Sequence, residues 1–218
     1  MPTLLVTGAN RGIGLEFARQ YSKDGWNVIA TARQSSPQLD ALGVRVELLD
    51  LADAEAVAAF PASLPETIDL FIANAGTNHP MEVQGPQNAR DWQVMMMVNA
   101  IAPYQLGRAL LSRMSDEGKI IAISSGLGSI AENNGGWQPY RTSKAALNMA
   151  WTSLAIEARE KRIAVVLLSP GWVKTRMGGA GAEISSEESV TDMRALIERL
   201  DAKDSGSFMR RDGSNIPW

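Results

Sequence analysis

Three segments of the chain, IDLFIA (68–73), KIIAIS (119–124) and IAVVLLS (163–169), are apolar almost without a break over the length of a strand. A strand with one wet face alternates apolar and polar residues, so an unbroken run needs apolar cover on both faces. Strand patterns of this kind fall at 3–7, 27–32, 44–48, 68–73, 119–124, 164–168 and, shortest, near 207–209. Between them lie helix-period segments at 12–24, 53–60, 88–114, 140–161 and 187–200. Strict alternation of the two implies right-handed crossovers, a parallel sheet and helices on both of its faces. The expected fold is therefore α/β, a Rossmann-type doubly wound parallel sheet.

With 218 residues and no repeat, charge run or Ser/Pro-rich linker, the chain reads as one dinucleotide-binding-sized domain over 1–218. The stretch 178–189, small residues followed by acidic and serine-rich ones, is expected to be a mobile loop. A formal charge of −3 and a pI near 5.3 leave no basic field for a nucleic-acid backbone or an anionic membrane. The absence of cysteine excludes a disulfide scaffold, a thiol nucleophile and a thiolate metal site. His79 is the only histidine, which argues against zinc or non-haem iron, and its His-Pro setting points to a surface loop. The opening MPTLLVTGAN has neither a basic leader nor a long apolar stretch, and no apolar run reaches the ~18 residues of a membrane span. A cytoplasmic location is expected.

The first strand leads into Thr7-Gly8-Ala9-Asn10-Arg11-Gly12-Ile13-Gly14 and then a helix. Glycines there permit a tight turn and close backbone approach, and the free amides at the helix start attract a pyrophosphate. The spacing is GxxxGxG, neither the GxGxxG fingerprint nor a P-loop. At the end of the second strand, where an acid would receive the ribose 2′-hydroxyl of NAD, stands Arg33; the nearest acid is Asp40. Arg33 and Arg11 offer fork-shaped donors to a 2′-phosphate, which favours NADP(H) over NAD(H).

Tyr140 and Lys144 form YxxxK at the start of a helical pattern, on one helix face. A neighbouring ammonium favours a phenolate, and a tyrosine tuned in this way can exchange the proton of a carbonyl/alcohol pair. Ser124 and Ser125 end the fifth strand at its carboxyl end, where ligands of open α/β sheets gather. Asn99 interrupts a helical pattern with a short amide, which suggests a polar task. There is no GxSxG and no histidine partner for a serine-hydrolase reading.

Together these residues resemble the classical short-chain dehydrogenase/reductase family over 3–218. TGANRGIG is similar to its cofactor turn, Asn74-Ala75-Gly76 to the motif after its fourth strand, and Asn99, Ser125, Tyr140 and Lys144 to its catalytic tetrad in order. Pro170-Gly171-Trp172-Val173-Lys174-Thr175 resembles the segment closing over the nicotinamide. That wording and the ending GSNIPW suggest the sniffer/C-factor-like carbonyl reductase branch. The resemblance implies that Tyr140 donates the proton, Lys144 lowers its pKa and bonds the nicotinamide ribose, Ser125 orients the carbonyl, and Asn99 holds a water. It also implies cofactor contacts from Gly8, Asn10, Arg11, Gly12, Ile13, Gly14, Arg33, Asp50, Leu51, Asn74, Ala75, Gly76, Pro170, Gly171, Val173 and Thr175, with Asp50 and Leu51 at the adenine.

Ala73 stands where the family often has asparagine, and the interval from Ser125 to Tyr140 is longer than usual, so Ser129 is a reserve for the hydroxyl role. Leu127, Trp137, Trp172 and Met177 are candidate walls of an apolar substrate pocket. The implied activity is reduction of an aldehyde or ketone, and the implied assembly a homodimer or homotetramer. Two alternatives are a cofactor-binding signalling protein with incidental turnover and a sugar-nucleotide epimerase or dehydratase. The GxxxGxG spacing speaks against the latter.

Overall fold

The computed structural model describes residues 1–64, 67–78 and 86–218; His79 lies outside them. Seven parallel strands, β1 (Thr3–Thr7), β2 (Asn27–Ala32), β3 (Arg45–Leu48), β4 (Ile68–Ala73), β5 (Met114–Ile123), β6 (Ala164–Ser169) and β7 (Phe208–Arg210), form one sheet. Their order is β3-β2-β1-β4-β5-β6-β7. Helices α1 (Gly12–Lys23), α2 (Pro37–Asp40) and α7 (Ser186–Arg199) cover one face; α3 (Ala54–Ala59), α5 (Ala102–Leu110) and α6 (Gln138–Glu157) cover the other. The doubly wound fold expected from the alternating pattern is the one observed.

The pleat accounts for the unbroken apolar runs. Leu4, Val6, Leu70, Ile72, Ile121 and Ile123 enter the core beneath Phe17 of α1 and Met193 of α7. Their neighbours Leu5, Phe71, Ile120 and Ala122 enter the opposite core, under Leu106 of α5 and Trp151 of α6. Each fully buried large side chain contributes roughly 1.5–3 kcal/mol, so neither face of the central strands tolerates a polar residue.

The structure corrects several element boundaries. The helix expected over 88–114 is shorter and not regular throughout. It comprises α4 (Pro86–Met96), a π turn (Met97–Ile101) and α5, which ends at Leu110. The apolar periodicity runs through the π turn, because one surplus residue bulges without ending the helix. Strand β5 starts at Met114 rather than Lys119, with its register on β4 broken between Ile68 and Leu70, and Glu117 in a left-handed conformation (φ 63°). Helix α6 begins two residues before Tyr140 and stops at Glu157 rather than Lys161. Arg162 is left-handed (φ 56°) as the chain leaves for β6. The single turn α2 was not foreseen; Ser36 starts it by accepting the Leu39 amide (3.2 Å), with Pro37 at its first position. No described helix is long and apolar enough to cross a membrane.

Sequence-adjacent crossovers run away from β1 in both directions, so the carboxyl ends of β1 and β4 lie side by side at a topological switch point. The candidate site is assembled there.

Candidate active site

The turn after β1 is held from β4. Thr7 Oγ1 accepts the amides of Asn74 and Ala75 (both 3.1 Å), while Asn74 Nδ2 donates to the carbonyls of Thr7 (2.9 Å) and Gly8 (3.2 Å). Ala73 itself is buried in the core, and Asn74 alone carries the side-chain bonds. Two glycines are required by space. A Cβ on Gly8 (φ 69°) would stand 2.8 Å from Ala75 Cα, and one on Gly14 would stand 2.4 Å from both Asn74 Nδ2 and the Gly8 carbonyl. Arg11, extended (φ −167°) ahead of α1, gives no side-chain cap, so the first amides of the helix and the positive end of its dipole face outward.

Around this turn Asn10 donates to the Gln34 carbonyl (3.1 Å) and receives the Ser36 hydroxyl on its own carbonyl (2.8 Å). Ile13 packs on the core below α1. Arg33 and Arg11 are exposed, and Asp40, the nearest acid in sequence, is engaged by Ser35. The pKa of Arg11 is lowered first by partial burial, then by repulsion from Arg176 and Arg33. Strand β3 ends before Asp50 and Leu51; Asp50 accepts the Ala52 amide (2.9 Å), and Leu51 is buried in the core.

At the carboxyl end of β5, Ser125 Oγ accepts the Leu127 amide (3.2 Å) and stands close enough to the Tyr140 phenol to oppose the rise in its pKa. Ser129 is turned elsewhere, donating to the Pro217 carbonyl (2.6 Å) and accepting the Glu132 amide (3.0 Å). Of the two serines, the structure brings Ser125 to the tyrosine. Lys144, one turn along α6, is 4% exposed and donates to the Ile123 carbonyl (2.8 Å), with its Nζ 5.8 Å from the centre of the Tyr140 ring. Asn99 is fully buried in the π turn. Its amide clasps Thr77 through both backbone groups (2.7 and 2.8 Å) and donates to Ser143 (3.0 Å), whose hydroxyl bonds the Tyr140 carbonyl (2.8 Å). Gly76 fits beneath this cluster: a Cβ there would lie 3.5 Å from Asn99 Oδ1 and 3.8 Å from Lys144 Nζ.

Burial dominates the electrostatics. It holds the Lys144 ammonium down to about 8 and pushes the Tyr140 phenol up to about 12, the Ser125 hydroxyl opposing only part of the latter. The net direction for the phenol is upward, with burial its largest cause, and the Lys144 charge is not among the causes; the ammonium points its short bond at a backbone carbonyl.

The segment after β6 folds over the same edge. Pro170 is buried and its carbonyl accepts Ser189 Oγ (2.7 Å). Gly171 (φ 83°) makes the turn that a Cβ would block at 2.9 Å from Ile184. Val173 bridges Ile184, and Thr175 Oγ1 accepts the Gly178 amide (3.0 Å). Of the stretch expected to be a loop, 178–189, the residues from Ser186 on are the first turn of α7, capped by Ser185, which accepts the Glu188 amide (3.0 Å), and the rest is tied back by Trp172 Nε1 on the Gly178 carbonyl (2.8 Å). Trp137, Trp172 and Met177 are each about half exposed, and Leu127 is 36% exposed.

Sequence reasoning passed over Ser143, Asn148 and Arg141. Ser124 Oγ donates to Asn148 Oδ1 (2.6 Å), and Asn148 Nδ2 to the Gly128 carbonyl (3.3 Å), pinning the Ser125 turn to α6. Arg141 reaches back to the Gly136 carbonyl (3.0 Å) and to Asn134. The available signal was helical spacing, since Asn148 follows Lys144 by four residues. A groove of about 450 Å³ on the outside of α4, lined by Trp92, Met96 and Ile101 among others, does not include these residues. No cluster of acids or histidine able to hold a metal occurs among the described residues.

The family model described as short chain dehydrogenase matches residues 2–184. C-signal of Myxococcus xanthus is 36% identical over 154 residues, 69% of this chain and 93% of that protein. A short-chain dehydrogenase/reductase of Burkholderia multivorans, solved with bound NADP, superposes with a TM-score of 0.88 at 33% identity, covering 100% of this chain and 99% of that one. Carbonyl reductase Sniffer of D. melanogaster does so with a TM-score of 0.88 at 29% identity over 100% of both. Fold, switch-point turn and relatives agree: the chain belongs to the short-chain dehydrogenase family.

Proposed function

We propose that the chain, acting as one unit over 1–218, is an NADP(H)-dependent carbonyl reductase that converts an aldehyde or ketone to an alcohol. The observation that carries this reading is the convergence of Ser125, at the end of β5, with Tyr140 and with Lys144 Nζ 5.8 Å from the tyrosine ring, beside the glycine turn. The turn suits a dinucleotide. It leaves the first amides of α1 uncapped, its glycines are crowded by backbone, and its neighbouring arginines lack acid partners among the described residues. NADP in the Burkholderia relative and the positions of Arg11 and Arg33 support NADP(H) over NAD(H).

A nicotinamide held by the glycine turn and the segment after β6 would supply the hydride chemistry. The chain supplies the rest. Tyr140 Oη gives its proton to the carbonyl oxygen as the C–O double bond becomes single, and Ser125 Oγ donates to the same oxygen. A phenol held near 12 carries its proton throughout the physiological range, the state that reduction requires. The phenolate left behind is met by the charge of the Lys144 ammonium until solvent returns the proton. Trp137, Trp172, Leu127 and Met177 form an apolar, open rim, which suits varied carbonyl substrates. Exposed Trp92, Val94 and Ile101, with Met149 and Ile156 on α6, support a homodimer or homotetramer seam.

The test is a panel of quinones, aldehydes, ketones and 3-oxoacyl compounds, followed by loss of reduced-cofactor absorbance. Tyr140→Phe should keep dinucleotide affinity and lower kcat by about 10²–10⁴. Near-wild-type turnover by that variant would remove the tyrosine from the chemistry.

A further inference from the structure

Three arginines stand on segments that border the start of α1. Arg11 precedes the helix, Arg33 follows β2, and Arg176 follows Thr175 in the segment after β6. In the sheet β2 and β6 lie on opposite sides of β1, so Arg33 and Arg176 approach Arg11 from opposite directions. The segment carrying Arg176 rests on the turn itself: a Cβ on Gly12 would stand 3.3 Å from Thr175 Cγ2. It is fixed there by the Lys174 amide on the Ile184 carbonyl (2.8 Å), the Gly178 amide on Thr175 Oγ1 (3.0 Å) and the Gly179 amide on the Thr175 carbonyl (2.9 Å). Arg11 feels the charge of both other arginines.

No carboxylate pairs with any of the three among the described residues. Nearby acids are engaged elsewhere: Glu16 with Arg19, Asp40 with Ser35, and Asp50 with the Ala52 amide. Like charges held together without a counter-ion oppose one another, and a bridging polyanion reverses the sign of that interaction. Gly12, under Thr175, is the first residue of α1, where a pyrophosphate is received. Arg33, at the end of β2, lies where the ribose 2′ position is read.

We infer that Arg176 binds the pyrophosphate of the dinucleotide from the side opposite the glycine turn, leaving recognition of the 2′-phosphate to Arg33 and Arg11. This rests on the NADP(H) reading above. It gives the segment after β6 a grip on the cofactor through a phosphate, alongside the role of its Pro170–Thr175 stretch near the nicotinamide.

Calorimetric titration without carbonyl substrate separates the possibilities. Arg176→Ala should weaken NADPH, NADH and 5′-ADP by similar factors of about ten, because all three carry the pyrophosphate. Arg33→Ala should weaken NADPH alone. Arg176 is exposed, and Arg176→Gln, which keeps a long side chain, should reproduce the loss. Changes under twofold for all three ligands, or a loss confined to NADPH, would overturn the inference. If the wild-type protein bound neither dinucleotide, the NADP(H) reading itself would fall. Normal binding by both the wild type and Arg176→Ala would overturn only the role of Arg176.

Discussion

The turn between β1 and α1 and the rim around Tyr140 lie on the same edge of the sheet but are built in opposite ways. In the turn, backbone crowds backbone, Asn74 and Thr7 spend their polar atoms on fixed partners, and there is no room for a methyl group at Gly8 or Gly14. On the rim, Trp137 and Trp172 are 56% and 55% exposed, and Trp137 is itself left-handed (φ 54°) after two left-handed glycines. The crowded region suits a ligand of fixed shape. The open one leaves ligand shape to a few side chains, which is why fold and family do not name a substrate.

The contrast predicts graded sensitivity. Gly14→Ala forces a methyl group against the Gly8 carbonyl and the Asn74 amide. It should cost about 3 kcal/mol of stability, read by denaturant unfolding, and abolish dinucleotide binding. Asn74→Ala leaves two carbonyl acceptors of the turn without their donor and should cost about 2 kcal/mol, with weaker cofactor binding. A wild-type-like melting curve for either variant would mean that the turn is looser than its contacts indicate.

Lys144 links the two regions, and its burial gives a pH signature. With the folded group near 8 and the unfolded one near 10.4, the unfolded chain holds the extra proton between these values. Stability should therefore rise with pH there, by on the order of 2 kcal/mol from pH 7 to 9.5 relative to Lys144→Met. Parallel curves for the two proteins would break this assignment. The smallest effects belong to the rim. Trp137→Ala and Trp172→Ala should leave folding and cofactor affinity unchanged and raise KM for a bulky apolar carbonyl a few-fold. A larger effect on kcat than on KM would make the rim part of the catalytic geometry.

Much of the fold was legible because burial on both faces leaves a direct mark: the central strands β1, β4 and β6 and the second half of β5 coincide with apolar runs, and the switch point follows from their order. The glycine turn and the Tyr140–Lys144 spacing were equally local. What escaped depends on distant partners or on solvation. Ser125 and Ser129 could not be separated without knowing that Ser129 bonds Pro217, 88 residues away. The direction of the Tyr140 shift is set by how much water the folded chain removes, which no spacing encodes. Arg176 carried no signal at all, since its neighbour Arg11 is brought to it by the sheet.

The surplus residue in the π turn has a bearing on how relatives can be compared. A regular helix advances about 100° per residue, so α5 faces the core about 100° away from the direction that α4 alone would set. Removing one residue between Met97 and Ile101 would restore an unbroken hydrogen-bond ladder, yet swing the Asn99 amide off Thr77 and away from Ser143. Any helix-by-helix superposition with a protein lacking that extra step will lose phase there. The irregularity is thus an inherited coordinate, fixed by a single amide that must look inward.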